Sequence, residues 1–298
     1  KVPSVSQTGP GAGTGQVRVT NSDASSNQVT SAATLTITYA YSNSTNANVA
    51  RMPTHITDNG FGGYTFSMNT SFASNTSAAN KFRAILNTWT CASGMNWLLG
   101  ATTAASSVAS DGINVVTFVP SLSAGVLASC SSWYYSCGSG AASSVYVGEI
   151  DVVISSAFTW YYGTGTPPAG QYDFESVMLH EMGHGHQLNH SIDATAVMHY
   201  SISSGTFKRT LNANEIAGAI FIKNRDIGIG TVCGSALPMT VLACNSGTAA
   251  PLVTFTANRT NVVAGCSLVT FTPEAIPEVT SWSWNFGGGA TNSTLQNP

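Results

Sequence analysis

Four of the chain's six histidines fall in one run, His180-Glu181-Met182-Gly183-His184-Gly185-His186-Gln187-Leu188-Asn189-His190, and a fifth, His199, follows. Residues four apart on an α-helix share a face, so His180 and His184 can aim their imidazoles at one metal ion. Glu181 projects about 100° round the helix from His180, beside such an ion rather than under it. That position suits a general base toward metal-activated water. A catalytic zinc takes three protein ligands and leaves a fourth position open. His190 is the natural third ligand, provided that the helix stops near Gln187 and the chain turns back. His186 points to the far side of the helix and is a poor ligand. A cluster without metal would not explain Glu181 and His190 together. At these residue frequencies chance yields His-Glu-x-x-His in about one sequence in several hundred, and the third histidine makes it roughly fifty-fold rarer.

This run needs a helix with a start and a stop, and a scaffold behind it. Asp173 is a good N-cap, and Pro167-Pro168-Ala169-Gly170 breaks structure before it. Ala78, Phe82, Ile85, Leu86 and Trp89 recur at helical spacing and predict an amphipathic helix ending near Cys91-Ala92-Ser93-Gly94. Residues 64–68, 113–119 and 149–154 read as strands. The near-continuous apolar character of the last two fits a sheet covered on at least one face. Asn212-Ala213-Asn214-Glu215 is a capping-box variant that opens a final helix, with Ile216, Ile220 and Phe221 expected toward the core. Alternating segments at 16–20, 34–39, 253–256 and 268–272 give both ends of the chain a β character.

Composition narrows the setting. The chain has 298 residues, enough for one ordinary domain and smaller pieces. Only 8% are charged, net charge is −3, and no basic patch exists, which excludes nucleic acid as the expected partner. No apolar run approaches the ~20 residues of a membrane span. The chain starts at Lys1 without an initiator Met or a signal peptide and reads as a segment of a longer precursor. Six cysteines point to an oxidising compartment. Cys130 with Cys137, and Cys233 with Cys244, are expected as local disulfides, while Cys91 and Cys266 stay unassigned. Six glycosylation sequons, at Asn43, Asn69, Asn75, Asn189, Asn258 and Asn292, are mostly accidents of an Asn- and Thr-rich composition.

His180-Glu181-x-x-His184-x-x-x-x-x-His190, followed by Met198 in a tight turn, resembles the metzincin metallopeptidases. The short spacing to Met198, with Ser191 after the third histidine, is similar to the matrixin branch. The resemblance implies an α+β catalytic domain with a twisted mixed sheet, an active-site helix and a C-terminal helix. It implies one catalytic zinc, protein or peptide substrates, Glu181 as general base and Met198 as a hydrophobic floor beneath the metal. It also implies that residues 124–129 form the upper-rim edge strand of the cleft, with Val126, Leu127 and Ala128 pairing with substrate main chain. Residues 201–209 would line the pocket for the residue after the scissile bond. Calcium is a further cation that the family suggests, without a ligand pattern here. Ser129 stands where vertebrate matrixins have a histidine of a structural zinc site; that site is expected to be missing, with a Cys130–Cys137 loop as its replacement.

Two positions depart from the family pattern. Gln187 replaces a glycine that ends the helix at positive φ, a substitution costing on the order of 1 kcal/mol. Tyr200 replaces a proline of matrixins. In astacin-like and serralysin-like enzymes a tyrosine there binds zinc or stabilises the oxyanion; Tyr200 either does the same, as a catalytic candidate, or packs in the pocket wall.

The expected organisation has four parts. Residues 1–47 resemble the closing strands of an immunoglobulin-like IPT/TIG domain, on Ala12-Gly13-Thr14-Gly15-Gln16-Val17-Arg18-Val19-Thr20-Asn21-Ser22-Asp23. Residues 50–228 form the catalytic domain, and 229–250 a linker clipped by Cys233–Cys244. Residues 251–298 resemble the first part of a PKD β-sandwich, on Ser281-Trp282-Ser283-Trp284-Asn285-Phe286-Gly287-Gly288-Gly289. The reading is a monomeric zinc endopeptidase, secreted or on a bacterial cell surface. The alternative is a non-catalytic adhesion protein on the same scaffold. Glu181 argues against it, because a structural zinc site closes its fourth position and needs no base. A hydrolase of another bond is a third reading, which the upper-rim strand disfavours.

Overall fold

The computed structural model describes residues 15–20, 28–35, 38–41, 44–46, 49–51, 54–55, 63–137, 144–227, 239–244, 255–257, 270–273, 284 and 291–295. The chain forms two units, Lys1–Cys244 and Asn245–Pro298. Among the described residues no helix is long and apolar enough to cross a membrane.

In the first unit, β1 (Gly15–Thr20) pairs antiparallel with β2 (Gln28–Leu35), an earlier second strand than the 34–39 alternation predicts. Short strands follow: β3 (Ser44–Asn46), β4 (Val49–Arg51) and β5 (Thr54–His55). Then come β6 (Tyr64–Met68), α1 (Thr70–Ser74), α2 (Thr76–Ser93) and β7 (Trp97–Leu99). Asn69 and Asn75 cap the two helices by accepting the N–H of Ser71 and Ala78, so two of the sequon asparagines are used as N-caps. The predicted stripe of α2, from Ala78 to Trp89, is buried, because its spacing keeps those side chains on one face.

The main sheet continues with β8 (Asn114–Val119), β9 (Ala128–Cys137) and β10 (Ser144–Ser155). Its order is β5-β10-β8-β6-β7, all parallel, and β9 lies antiparallel along β10. Small elements β11 (Trp160–Tyr161) and β12 (Tyr172–Asp173) lead into α3 (Phe174–Gly185), and α4 (Ala213–Ile227) follows. The core between sheet and helices is aromatic: Phe66 meets Phe82 and Trp97 edge-on at 5.8 and 6.2 Å. Trp89 of α2 donates its indole N–H to Leu179 O of α3 at 3.0 Å.

Three expectations are corrected here. First, β9 runs unbroken through the expected Cys130–Cys137 loop. Seven residues of strand span about 23 Å, beyond disulfide reach, and Cys130 is a free thiol. Second, Cys244 bonds Cys91 at the end of α2 across 153 residues of sequence, not Cys233; Cys233 and Cys266 lie outside the described residues. Third, α4 buries Ala219 and Ile222, while Ile220 and Phe221 are 37% and 42% exposed. The reason is Glu215. Its carboxylate is drawn inward by backbone donors, and the buried stripe runs from it at i, i+4 and i+7.

The exposed side of α4 has its own partner. Phe221 lies 6.0 Å from the rings of both Tyr39 and Tyr41. A Cβ at Gly218 would come within 2.8 Å of the Tyr39 ring, so only glycine permits this approach. Ala40 O accepts the Asn189 N–H at 2.8 Å, which places residues 38–41 along the turn after α3.

In the second unit, β13 (Phe255–Ala257) pairs antiparallel with β14 (Phe271–Pro273). Trp284 bridges to Ser293 and donates its indole N–H to Leu295 O at 2.8 Å. The other residues of the Trp282-to-Gly289 signature lie outside the described residues, as does most of 229–250.

Candidate metal centre

The site is built on α3, which is held at both ends. Asp173 caps it, accepting the Ser176 N–H at 2.8 Å. Arg209 grips the same carboxylate, with Nε 3.1 Å from each oxygen and Nη2 also donating. At the other end Gln187 has φ 68°, and Leu188 N–H returns to Gly183 O at 2.9 Å. This is the turn-back that His190 requires. Gln187 is fully buried. Its Oε1 accepts the Tyr134 hydroxyl at 3.0 Å and its Nε2 donates to Ser132 Oγ at 2.9 Å. The left-handed conformation costs a non-glycine residue about 1–2 kcal/mol. Two buried side-chain hydrogen bonds, each worth about 1 kcal/mol net, offset it.

The turn brings three imidazoles together. His184 Nε2 lies 3.0 Å from His180 Nε2 and 3.1 Å from His190 Nε2. His180 Nδ1 faces Val197 O at 2.8 Å and His184 Nδ1 faces Leu188 O at 2.9 Å. A carbonyl only accepts, so each Nδ1 carries the proton and each Nε2 of this pair offers a lone pair. Burial, foremost, holds His180 well below the usual histidine range and lowers His184 to about 4, and the neighbouring imidazoles add to both shifts. Lone pairs crowded at such distances need a cation between them. A tetrahedral zinc with Zn–N bonds of about 2.0–2.1 Å spaces its ligand nitrogens about 3.3 Å apart. The three histidines therefore fit this ion, and they form the group among the described residues that could hold a metal.

Glu181 stands beside the triad in a cleft of about 720 Å³. Burial pushes its carboxyl up to about 8, against the opposing hydrogen bond from the Cys130 backbone. Residues 122–130 form one wall, and Val197, His199–Ile202 and Lys208 the other. Tyr200 lies in that second wall, 46% exposed, with its ring 4.4 Å from that of His199. Val126, Leu127 and Ala128 all line the cleft, but only Ala128 belongs to β9. Val126 N–H closes a turn onto Ser123 O, and Leu127 O accepts the Ser155 N–H, both at 2.9 Å. The strand thus starts later than residue 124, because the turn at Gly125 delays its pairing with β10.

Met198 is buried behind α3. A Cβ on Gly183 would lie 2.2 Å from its sulfur, so the thioether packs on the bare helix backbone between His180 and His184. Its N–H donates to Glu215 Oε1 at 2.6 Å, while Glu215 Oε2 accepts the Asn212 N–H at 2.8 Å. The capping box was legible; its second task, anchoring the Met198 turn, was not, because residue 198 is distant in sequence. His186 points away from the cleft. Its Nε2 meets Ser93 Oγ at 2.8 Å, and its ring packs on Trp89 and Trp97.

No curated protein matches the chain. Residues 88–220, from α2 through the histidine run and into α4, match the Matrixin (Peptidase M10) family model. Taken with the three converging imidazoles, that match supports a matrixin-like zinc metallopeptidase domain in this chain.

Proposed function

We propose that the chain is a secreted zinc endopeptidase with Glu181 as its general base. The observation that carries this reading is a buried carboxyl beside three converging Nε2 atoms in an open cleft. His180, His184 and His190 hold the ion, which when bound supplies Lewis-acid activation of water and of a carbonyl oxygen. Glu181 takes the proton from the attacking water and passes it to the leaving amine nitrogen. A carboxyl raised toward neutrality suits both halves of that transfer. Tyr200, on the cleft wall, donates its hydroxyl to the developing oxyanion. Met198 keeps the helix backbone behind the ligands dry and fixed.

Substrate main chain runs along residues 126–128 and the adjoining edge of β9, which pairs with no strand on its far side among the described residues. The Cys91–Cys244 disulfide supports an oxidising, extracellular setting. Residues 1–47 and 251–298 are read as parts of accessory β modules, supported by the β1–β2 and β13–β14 pairs.

The test is cleavage of an unfolded protein by the zinc-supplied chain and by Glu181→Ala, side by side. The reading requires cleavage by the first and its loss in the second, with zinc still bound. Equal cleavage by both would sink the assignment of the base, and no cleavage by either would sink the peptidase reading.

A further inference from the structure

Among the described residues, Lys208 is the one Lys or Arg side chain in the cleft wall, in a chain that has only 10 Lys and Arg residues. Its backbone N–H donates to Ser176 Oγ at 2.7 Å. Ser176 precedes His180 by four residues on α3, about 6 Å along the helix. Ser176, Val177, Ser201 and Lys208 line the same cleft as the three histidines, so Lys208 borders it beside the first turn of α3.

The ammonium is underused. One of its three N–H groups donates to Ser201 O at 3.1 Å. The ion pairs among the described residues are Lys81–Glu175, Arg209–Asp173 and Arg209–Glu175, and none involves Lys208. Its neighbour Arg209 is the contrast: that guanidinium is committed to Asp173, Thr164 O and Gly165 O. Asp193 and Glu215 act on Lys208 only at longer range. Glu215 is engaged by Met198 and Asn212, and Asp193 by Thr195. Among the described residues, no Asp, Glu, Lys or Arg besides Glu181 and Lys208 lines the cleft. Lys208 is half-buried, and burial is the main influence lowering its pKa. A partly dehydrated cation gains more from an incoming carboxylate than a fully solvated one does.

We infer that Lys208 is a specificity-determining residue that selects peptides with Asp or Glu next to the scissile bond, on the side of the first turn of α3. The inference rests on the peptidase reading above. An acidic side chain entering there accepts the two N–H groups that Ser201 leaves available. A neutral side chain of equal size leaves the ammonium half-dehydrated, and a basic one is repelled.

Two measurements test this. In the first, an unfolded protein is digested by the zinc-loaded chain and the new termini are mapped by mass spectrometry. Acidic residues should be enriched at one position flanking the cut, and Lys208→Met, which keeps the stem length, should lose the enrichment. Cleavage without acidic enrichment, or enrichment that persists in Lys208→Met, overturns the role of Lys208 and leaves the peptidase reading intact. The second measurement needs no turnover. Dansylated alanine-rich peptides with a single central Glu or Gln are titrated by fluorescence anisotropy against zinc-loaded Glu181→Ala. The Glu peptide should bind about five- to tenfold tighter, the difference should shrink in high salt, and Lys208→Glu should reverse the order. Equal binding, or no binding of either peptide, overturns the proposal even where the first assay shows no cleavage. Melting temperatures of the Lys208 variants check that the fold is kept.

Discussion

Tyr134 donates its hydroxyl to Oε1 of Gln187 at 3.0 Å, tying the edge strand of the cleft to the turn that delivers His190. Among the described residues, Gln187 is the one non-glycine residue at positive φ. The same strand reaches Glu181 through the Cys130 backbone and borders the cleft at Ala128. One strand therefore holds the turn before His190, the Glu181 carboxyl and one border of the cleft in a common register.

This arrangement predicts an inverted glycine effect at position 187. Gln187→Ala keeps the backbone strain and loses both side-chain hydrogen bonds. Gln187→Gly loses the same bonds but relieves the strain. The glycine variant should be more stable than the alanine variant by about 1 kcal/mol, opposite to the usual order. Denaturant unfolding midpoints of the two variants decide it. An alanine variant equal to or above glycine would show that the turn is not strained.

Removing zinc should destabilise the chain, because the lone pairs of the triad then face one another. At a free zinc concentration 100 times Kd the gain is about 2.7 kcal/mol. Thermal melts with chelator and with added zinc should differ in the wild type and in Glu181→Ala. His190→Ala should lose most of that difference. A wild-type melt indifferent to zinc would contradict the metal assignment.

The Cys91–Cys244 bond should appear as a linked pair in a non-reducing peptide map, without a Cys233–Cys244 pair. Replacing both residues by serine should cost about 2–4 kcal/mol, as expected for a long closed loop. Unfolding of the double variant without loss of stability would show that the bond does not restrain the unfolded chain.

Asp151, in β10, predicts a pH dependence of stability. It is fully buried, and its oxygens accept the N–H groups of Val115 and Ala109 at 3.1 and 3.0 Å. Burial, followed by nearby Glu149, raises its carboxyl from 3.8 to about 6. A raised folded pKa means that the native state holds the proton more tightly than the unfolded state. The stability from this group is therefore complete below about pH 4 and is lost as the pH rises through about 6. Asp151→Asn removes the titration. The stability of wild type relative to this variant should fall between about pH 4 and 6, measured by unfolding at several pH values. A rise over that window would contradict the assignment.

Local spacing alone determined the helix of the histidine run with its Asp173 cap, the buried stripe of α2, the capping box at Asn212 and Glu215, and the grouping of His180, His184 and His190. Helix periodicity and caps are written within a few residues, so they can be read from them. The inward direction of His186 follows from the same periodicity. Other features were decided only by contacts between distant segments. Cys244 found Cys91 across 153 residues of sequence, and nothing near either one announces the other. Strand β9 ran through the expected cysteine loop because its partner β10 extends far enough to pair with it. The buried face of α4 was set by Glu215 reaching the Met198 backbone, which outweighed the apolar pattern of Ile220 and Phe221. Gln187 looked only like a strained substitute for glycine. Ser132 and Tyr134, arriving from another strand, make it a clamp, because a long amide can satisfy partners that a glycine cannot reach.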